Sequence, residues 1–193
     1  MLLSLFPEWD IDLFTAINGM NQTWLDPVML FLSSPWSWIL LFVVVIFFML
    51  RKSRFWGFRE VLLILCTVAA NSILNNIIKL IIQRPRPCSN ELIASTIRSL
   101  EDCGTHYSFF SAHSSNAFCL AICTALFFRN RYYSILIMIW ASVVAYSRIY
   151  VGKHYPLDVI CGIFFGIIMS FAGHYLLKRY REEKHIEEYH PND

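Results

Sequence analysis

Long apolar runs separated by short polar stretches dominate the pattern of this chain. A helix needs about 20 mostly apolar residues to cross the hydrocarbon core of a bilayer. Five runs approach that length, at residues 27–50, 61–82, 114–128, 132–146 and 157–177. We therefore predict an all-α, polytopic membrane helix bundle of about five transmembrane helices. The first should bend at Pro35, because proline removes a backbone donor.

The segment before the first run has a different pattern. Leu13, Phe14 and Ile17 share one face of a predicted helix, with polar groups opposite. That pattern is typical of a helix lying in the membrane interface, and it fits an amphipathic helix packed on the bundle equally well. We assign residues 1–26 to this N-terminal interfacial segment and expect it to be retained, because it lacks the basic stretch of a cleavable signal peptide.

Composition supports a membrane protein and excludes some partners. Of the 193 residues, 56% are hydrophobic and 16% are charged, whereas about a quarter are charged in typical soluble domains. The length predicts one domain, 1–193. The net charge of +2 comes without a basic stripe, so no nucleic-acid partner is expected. Nothing in the sequence indicates an obligate protein partner.

The short loops predict an orientation. Lys and Arg concentrate in three segments that five spans would place on one side, at residues 51–60, 129–131 and 178–184. An excess of basic residues marks the cytoplasmic side. We therefore expect a cytoplasmic tail at 178–193 and an extracytoplasmic loop at 83–112, in the cell (inner) membrane. The 150–156 loop should face the extracytoplasmic, or periplasmic, side as well.

Two cysteines fall in the predicted outer loop. An oxidising compartment could join Cys88 to Cys103. Sequence alone does not supply the geometry that a disulfide requires, so this pairing is left open.

A polar stripe ends the second apolar run. Asn71, Asn75 and Lys79 are spaced four residues apart and so share one helical face. Polar groups at membrane depth usually face the bundle interior or a wet cavity. We interpret the two asparagines as interhelical hydrogen-bonding groups. Lys79 could snorkel to the interface, but Arg84 and Arg86 follow it, and neighbouring cations repel unless an anion lies among them. We interpret Arg84 as a headgroup or interface contact.

Two further polar clusters stand at the ends of later runs. Ser111 fits a helix N-cap, and His113 follows it at a helix start whose free N–H groups favour anions. Arg148, His154 and Asp158 lie between the fourth and fifth runs. If the fifth helix has begun at His154, Asp158 is its i+4 neighbour and can hold one ring nitrogen while the other attacks. The alternative is a structural ion pair between Arg148 and Asp158.

These residue types together predict phosphoryl transfer. Lys79, Arg86 and Arg148 are suited to bind phosphate oxygens. Two histidines and a carboxylate supply a nucleophile, an acid and an orienting group. A covalent phosphohistidine would form, and the cations would stabilise charge on the equatorial oxygens. No Cys/His spacing resembles a zinc site.

The three clusters resemble the signature of the type 2 phosphatidic acid phosphatase (PAP2) superfamily, which reads K-x6-RP, PSGH and SR-x5-H-x3-D. The first part matches KLIIQRPRP at 79–87, and the third matches SRIYVGKHYPLD at 147–158. The middle part reads FSAH at 110–113, with Phe110 in place of Pro and Ala112 in place of Gly. The alanine puts the local backbone geometry in question, since glycine adopts dihedrals that alanine does not.

The resemblance implies a role for each matching residue. His154 would be the nucleophile and Asp158 would orient it. His113 would protonate the leaving oxygen and then activate water. The implied phosphate-binding residues are Lys79, Arg86, Arg148 and Ser111. The resemblance also implies a six-helix core and a reaction that needs no metal ion or other cofactor.

The leading functional hypothesis is an integral-membrane phosphatase acting on a lipid phosphate or diphosphate, with undecaprenyl diphosphate at the outer leaflet ranked first by family analogy. Phosphatidylglycerol phosphate, phosphatidic acid and a lipid A phosphate are alternative substrates. Phosphotransfer to an alcohol is a second enzymatic alternative. A phospholipid-binding or transport protein is the non-enzymatic alternative, and it leaves the histidines and carboxylate without a role.

Overall fold

A computed structural model describes residues 6–52, 54–104 and 107–189, except for the side chains of 54–56, 181 and 183–189. Residues 1–5 of the predicted N-terminal segment, 105–106 of the predicted outer loop and 190–193 of the predicted tail lie outside this range. The described chain is helical and contains no strand. Its α-helices are α1 (Glu8–Gly19), α2 (Asp26–Ser33), α3 (Pro35–Lys52), α4 (Arg54–Ile82), α5 (Ala112–Phe128), α6 (Arg131–Tyr150) and α7 (Pro156–Tyr189).

All five predicted apolar runs are helical, and they correspond to α3 to α7, with the start of the first run in α2. In the part of the chain that is described, α3, α4, α6 and α7 are long and apolar enough to cross a membrane. The first predicted run is broken into α2 and α3 at Ser34, immediately before Pro35. Proline suits the first turn of a helix, where no N–H is needed, but it cannot continue one. The predicted bend is therefore a full break.

Helix α5 is the shortest of α3 to α7, and it lies at the centre of the bundle. Its 17 residues pack against α4, α6 and α7. Many of its side chains are completely buried, among them Ala117, Leu120 and Ala121. A helix enclosed by neighbours is satisfied by protein contacts and need not span the full hydrocarbon thickness by itself.

Small residues on α7 let α5 approach closely. A Cβ atom on Gly162 would lie 2.6 Å from the carbonyl oxygen of Ser111, and one on Gly166 would collide with the carbonyl of Ser115. Ser170 is fully buried further along α7. Small residues spaced four apart allow such close helix packing, and this packing places the start of α5 directly against the first turns of α7.

The basic segments meet at one end of the bundle. The Lys52 ammonium donates to the Phe128 carbonyl at 2.8 Å, which joins the ends of α3 and α5. The guanidinium of Arg59 lies 6.0 Å from the ring centroid of Tyr180, which joins α4 to the far part of α7. The predicted co-location of the basic loops is thus confirmed.

Helices α1 and α2 cover the opposite end. Helix α1 contacts α6 and α7. Phe14 is completely buried in its face, whereas Leu13 is exposed. The Asn18 amide donates to the carbonyls of Arg98 and Tyr150, each at 3.0 Å, and its oxygen accepts from the Arg98 N–H. The segment was interpreted either as an interfacial helix or as an amphipathic helix packed on the bundle. These contacts agree with packing on the bundle.

Candidate active site

The polar stripe of α4 faces the bundle interior. The amide of Asn71 donates to Asn116 at 2.5 Å and its oxygen accepts from the Ser115 hydroxyl at 2.9 Å. The Asn75 amide donates to the carbonyl of Phe110 at 3.3 Å. The bonds of Asn71 confirm its predicted interhelical role, whereas Asn75 holds the loop residue two positions before α5. These bonds also fix the register of α4 against α5, so that Lys79 comes level with the start of α5.

Lys79 is buried rather than snorkelling. The residue is 8% exposed, and its ammonium donates to the Tyr107 carbonyl at 3.2 Å. One turn later the helix ends, with Gln83 in the left-handed region at φ 51°. The two prolines that follow have no N–H to continue the helix, and they carry the next two arginines across the end of the bundle.

Arg84 is the first of these arginines, and its predicted place at the interface is wrong. Its side chain is completely buried between two carboxylates, 2.6 Å from Asp10 Oδ2 and 2.5 Å from Asp158 Oδ1. Its guanidinium also lies over the rings of Phe6 and Tyr155, at 3.8 and 3.9 Å from their centroids. Arg84 therefore joins α1, the loop after α4 and α7 inside the protein.

Asp10 and Ser108 complete the surroundings of Asp158. Asp10 Oδ1 accepts the backbone N–H of Leu157 at 2.8 Å, at the start of α7. Burial raises the pKa of Asp10, while the hydrogen bonds from Arg84 and Leu157 oppose that shift. The Ser108 hydroxyl donates to Asp158 Oδ2 at 2.5 Å. Each oxygen of Asp158 is thereby held by a different donor, which fixes the carboxylate.

The relation between His154 and Asp158 differs from the predicted helical pair. Helix α7 begins at Pro156, so His154 lies in the turn before it. His154 Nδ1 is 3.8 Å from Asp158 Oδ2 and 3.4 Å from the Ser108 hydroxyl. The carboxylate separation is too long for a direct hydrogen bond. Nδ1 still faces Ser108 and Asp158, which leaves Nε2 on the other side of the ring.

Cations surround His154, as predicted. Burial holds the pKa of His154 well below its ordinary value, and the positive charges of Lys79, Arg148 and Arg86 lower it further. The imidazole is therefore neutral at neutral pH, as a nucleophile requires. The turn carrying it needs Gly152, which has φ +82° and whose added Cβ would lie 2.8 Å from the Arg98 carbonyl.

The arginines keep donors free beside His154. Arg148 Nε and Nη1 and Arg86 Nε are buried, and none has a hydrogen-bond partner among the described residues. Buried guanidinium groups are normally paired, because an unpaired buried charge is costly. The Arg148–Asp158 ion pair considered as an alternative is not formed: Asp158 pairs with Arg84, and Arg148 contacts Glu101. The unused donors suit an oxyanion.

The start of α5 completes the cluster. Ser111 caps the helix by accepting the Ser114 N–H, and its own N–H donates to the Asp158 carbonyl at 3.0 Å. His113 Nε2 lies 3.2 Å from the Ser33 carbonyl, and the imidazole is within electrostatic reach of Arg148 and His154. Ala112 is the first residue of α5 and has no positive φ. The backbone here therefore accepts alanine without strain.

All seven predicted site residues thus lie at one end of the bundle, around the turn that carries His154. Within the described parts of the chain, no group of three or more His, Cys, Asp or Glu side chains could hold a metal ion. Among the side chains that were not predicted, Ser108 contacts Asp158, Glu101 contacts Arg148, and Asp10 pairs with Arg84 beside Asp158. They carry no motif, and each lies far in sequence from its partner.

Comparison with known sequences identifies the family. The model of the PAP2 superfamily matches residues 60–182. This chain belongs to the PAP2 superfamily. Among its relatives, the lipid A 4'-phosphatase of Porphyromonas gingivalis is 30% identical over 90% of this chain and 73% of its own length. The undecaprenyl-diphosphatase BcrC of Bacillus subtilis is 32% identical over 83% of this chain and 80% of its own length.

Solved structures show the same fold. The transmembrane PAP2 type phosphatidylglycerolphosphate phosphatase from Bacillus subtilis has a TM-score of 0.73 at 23% identity, covering 92% of this chain and 90% of the other. LpxE of Aquifex aeolicus has a TM-score of 0.70 at 24% identity, covering 86% and 94%. With the apolar helices, these PAP2 relatives make the chain an integral-membrane enzyme of the lipid phosphatase family.

Proposed function

We propose that this PAP2 enzyme hydrolyses a lipid phosphate or diphosphate through a phosphohistidine on His154. The observation that carries the proposal is the set of buried Arg86 and Arg148 donors that have no partner in the described parts of the chain and lie beside a neutral imidazole. A phosphate group is the oxyanion that such planar donors and the Lys79 ammonium bind together.

The first chemical step forms the bond between His154 Nε2 and phosphorus and breaks the bond to the lipid oxygen. Asp158 and Ser108 hold the Nδ1 side of the ring and stabilise the positive charge that develops on it. His113 gives its proton to the leaving oxygen. Lys79, Arg86 and Arg148 stabilise the charge on the equatorial oxygens. The Ser111 hydroxyl supplies a further donor.

The second step returns the enzyme to its starting state. The neutral His113 takes a proton from water, whose oxygen attacks the phosphorus of the phosphohistidine. The bond from phosphorus to Nε2 breaks, and inorganic phosphate leaves. His113 therefore ends the cycle protonated again, ready for the next leaving group. This cycle needs no metal ion.

A groove beside His113 supports a lipid substrate. It runs between α3 and α5, has a volume of about 410 Å³, and is lined by Pro35, Trp38, Ile39, Phe42, His113 and Asn116. The groove is accessible from the surface of the bundle, because Ile39 in its apolar wall is 52% exposed. A lipid whose phosphate is bound by the arginines can leave its tail in this groove, with the leaving oxygen near His113.

For the substrate, we propose undecaprenyl diphosphate, supported by the BcrC relative. Phosphate release is to be measured from undecaprenyl diphosphate, phosphatidylglycerol phosphate, phosphatidic acid and lipid A, in detergent with a metal chelator. We expect the highest kcat/KM for undecaprenyl diphosphate. A higher kcat/KM for lipid A would make lipid A the preferred substrate and leave the proposed phosphohistidine mechanism unchanged. Release from none of the four would reject the proposed function.

We further propose that residues 1–193 form one domain in the cell (inner) membrane, with the site on the extracytoplasmic side. The 83–112 loop is then outside, and the 178–193 tail is inside. The proposal is supported by the basic segments at the end of the bundle opposite the site.

Cysteine labelling tests this orientation. Glu91 is exposed in the outer loop, and Arg131 is exposed at the opposite end. A membrane-impermeant maleimide should label Glu91→Cys on intact cells and Arg131→Cys only after permeabilisation, each compared with the parent protein and its own cysteines. Labelling of Arg131→Cys alone on intact cells would reverse the proposed orientation.

A further inference from the structure

Three consecutive residues of the outer loop each hold a different cation of the site. The Glu101 carboxylate lies 3.4 Å from Arg148 Nη2. The next carbonyl, that of Asp102, accepts a hydrogen bond from the Lys153 ammonium. The carbonyl of Cys103 accepts from Arg86 Nη1 at 2.8 Å. We call residues 101–103 the strap.

The strap is fixed at both ends. A disulfide joins Cys103 to Cys88, with 5.8 Å between their Cα atoms, and Cys88 follows Arg86 by two residues. On the other side, the Leu100 N–H donates to the Val151 carbonyl at 3.2 Å, in the turn before His154. The strap is therefore attached to both chain segments that supply the arginines.

Glu101 contacts Arg148 without using its free donors. It approaches Nη2, whereas Nε and Nη1 stay buried and without partners in the described chain. A carboxylate competing with phosphate would take these inner donors instead. Glu101 also accepts from the Ser33 hydroxyl, and the carbonyl of Ser33 in turn contacts His113. The Glu101 carboxylate thus holds the Nη2 group of Arg148, where it can orient the guanidinium.

The cations need such an arrangement because they repel one another. Burial lowers the pKa of Lys153, the charge of Arg86 lowers it further, and Glu101 opposes the shift. Lys153 Nζ is 3.8 Å from Glu101 Oε2. One carboxylate therefore offsets two cations that both lie beside the nucleophile.

We propose that the disulfide-tied strap positions Arg86, Arg148 and Lys153 to receive a phosphate group, and that Glu101 is a positioning residue for Arg148. This rests on the proposed function, because it takes the arginines as the phosphate-binding groups. The strap contributes to binding in the ground state and the transition state alike, so its loss should raise KM more than it lowers kcat.

The matched pair Glu101→Gln and Glu91→Gln tests the carboxylate. Both lie in the same loop, but Glu91 is exposed and outside the strap. Glu101→Gln should raise the inhibition constant of inorganic phosphate and the KM of the lipid by about fivefold or more, with kcat changed less. Glu91→Gln should match the wild type. Unchanged or tighter phosphate binding in Glu101→Gln would overturn the proposal.

Reduction of the disulfide tests the tie in protein that is already folded. A dithiol reductant should raise the phosphate inhibition constant of the wild type. The Cys88→Ser/Cys103→Ser variant should start from the raised value and not respond. If a thiol assay shows both cysteines reduced and the phosphate inhibition constant is unchanged, the proposed role of the disulfide is refuted. If inorganic phosphate does not inhibit the wild type at all, the phosphate site itself is rejected, which separates the two failures.

Discussion

The His154→Asn variant is expected to lose nearly all lipid phosphate hydrolysis, on the order of 10⁴-fold or more in kcat. Asparagine keeps a polar group facing Ser108 and Asp158 but has no ring nitrogen to attack phosphorus. The melting temperature should stay close to that of the wild type, because the imidazole contacts of His154 are long, 3.4 Å to the Ser108 hydroxyl and 3.8 Å to the Asp158 carboxylate. The backbone hydrogen bond from His154 to Arg148 is kept in the variant. Phosphate release in detergent with a chelator measures the loss of hydrolysis.

His174→Asn is the matched control for this loss. His174 lies in α7, remote from the site along the helix, and it should retain wild-type turnover. A labelled phosphate group should also be trapped on the wild type by an alkaline quench, which preserves phosphohistidine, and not on His154→Asn. Turnover above a tenth of the wild type in His154→Asn would exclude it as the nucleophile.

The Arg84→Met variant is expected to lose both stability and activity. Methionine replaces the aliphatic part of the arginine side chain but leaves Asp10 and Asp158 buried without their shared cation. Removing one partner of a buried ion pair costs about 3–5 kcal/mol. Because Asp158 then has to take up a proton or move, the orientation of His154 should be lost as well. Thermal unfolding in detergent and kcat on the folded fraction measure the two effects.

Arg98→Met provides the comparison for Arg84. Arg98 also pairs with a carboxylate of the N-terminal region, Asp26, but a third of its side chain is exposed. Exposed ion pairs contribute little, so this variant should melt close to the wild type and keep its turnover. Equal melting temperatures for Arg84→Met and the wild type would contradict the structural role assigned to Arg84.

The sequence predicted the features that depend on local patterns. Apolar length located five helical segments, although the first is broken before Pro35, α4 begins earlier at Arg54 and α7 continues to Tyr189. The four-residue spacing of Asn71, Asn75 and Lys79 predicted a buried stripe, and all three side chains are buried. The signature motifs predicted that Lys79, Arg86 and Arg148 lie around His154, and these groups are close together in the structure.

Contacts between distant segments could not be predicted in this way. Arg84 sits two residues before a motif arginine and looks equally exposed in sequence, but Asp10 and Asp158, each 74 residues away, enclose it. The expected pair of His154 and Asp158 assumed a helix that starts two residues too early. Ser108 lies between them instead, 46 residues from the histidine. Such positions depend on how helices pack, and spacing along one chain does not encode that packing.

The length of α5 has a consequence for how a substrate reaches the enzyme. Its 17 residues extend for about 26 Å, a few ångströms less than the roughly 30 Å of hydrocarbon in a bilayer. If the C-terminal end of α5 is placed at one boundary of the hydrocarbon layer, Ser111 and His113 at its other end would lie a few ångströms short of the opposite boundary. A phosphate attached directly to a hydrocarbon chain can reach this depth at little cost. Bulky polar groups around the scissile oxygen would have to lose their hydration and enter the hydrocarbon layer.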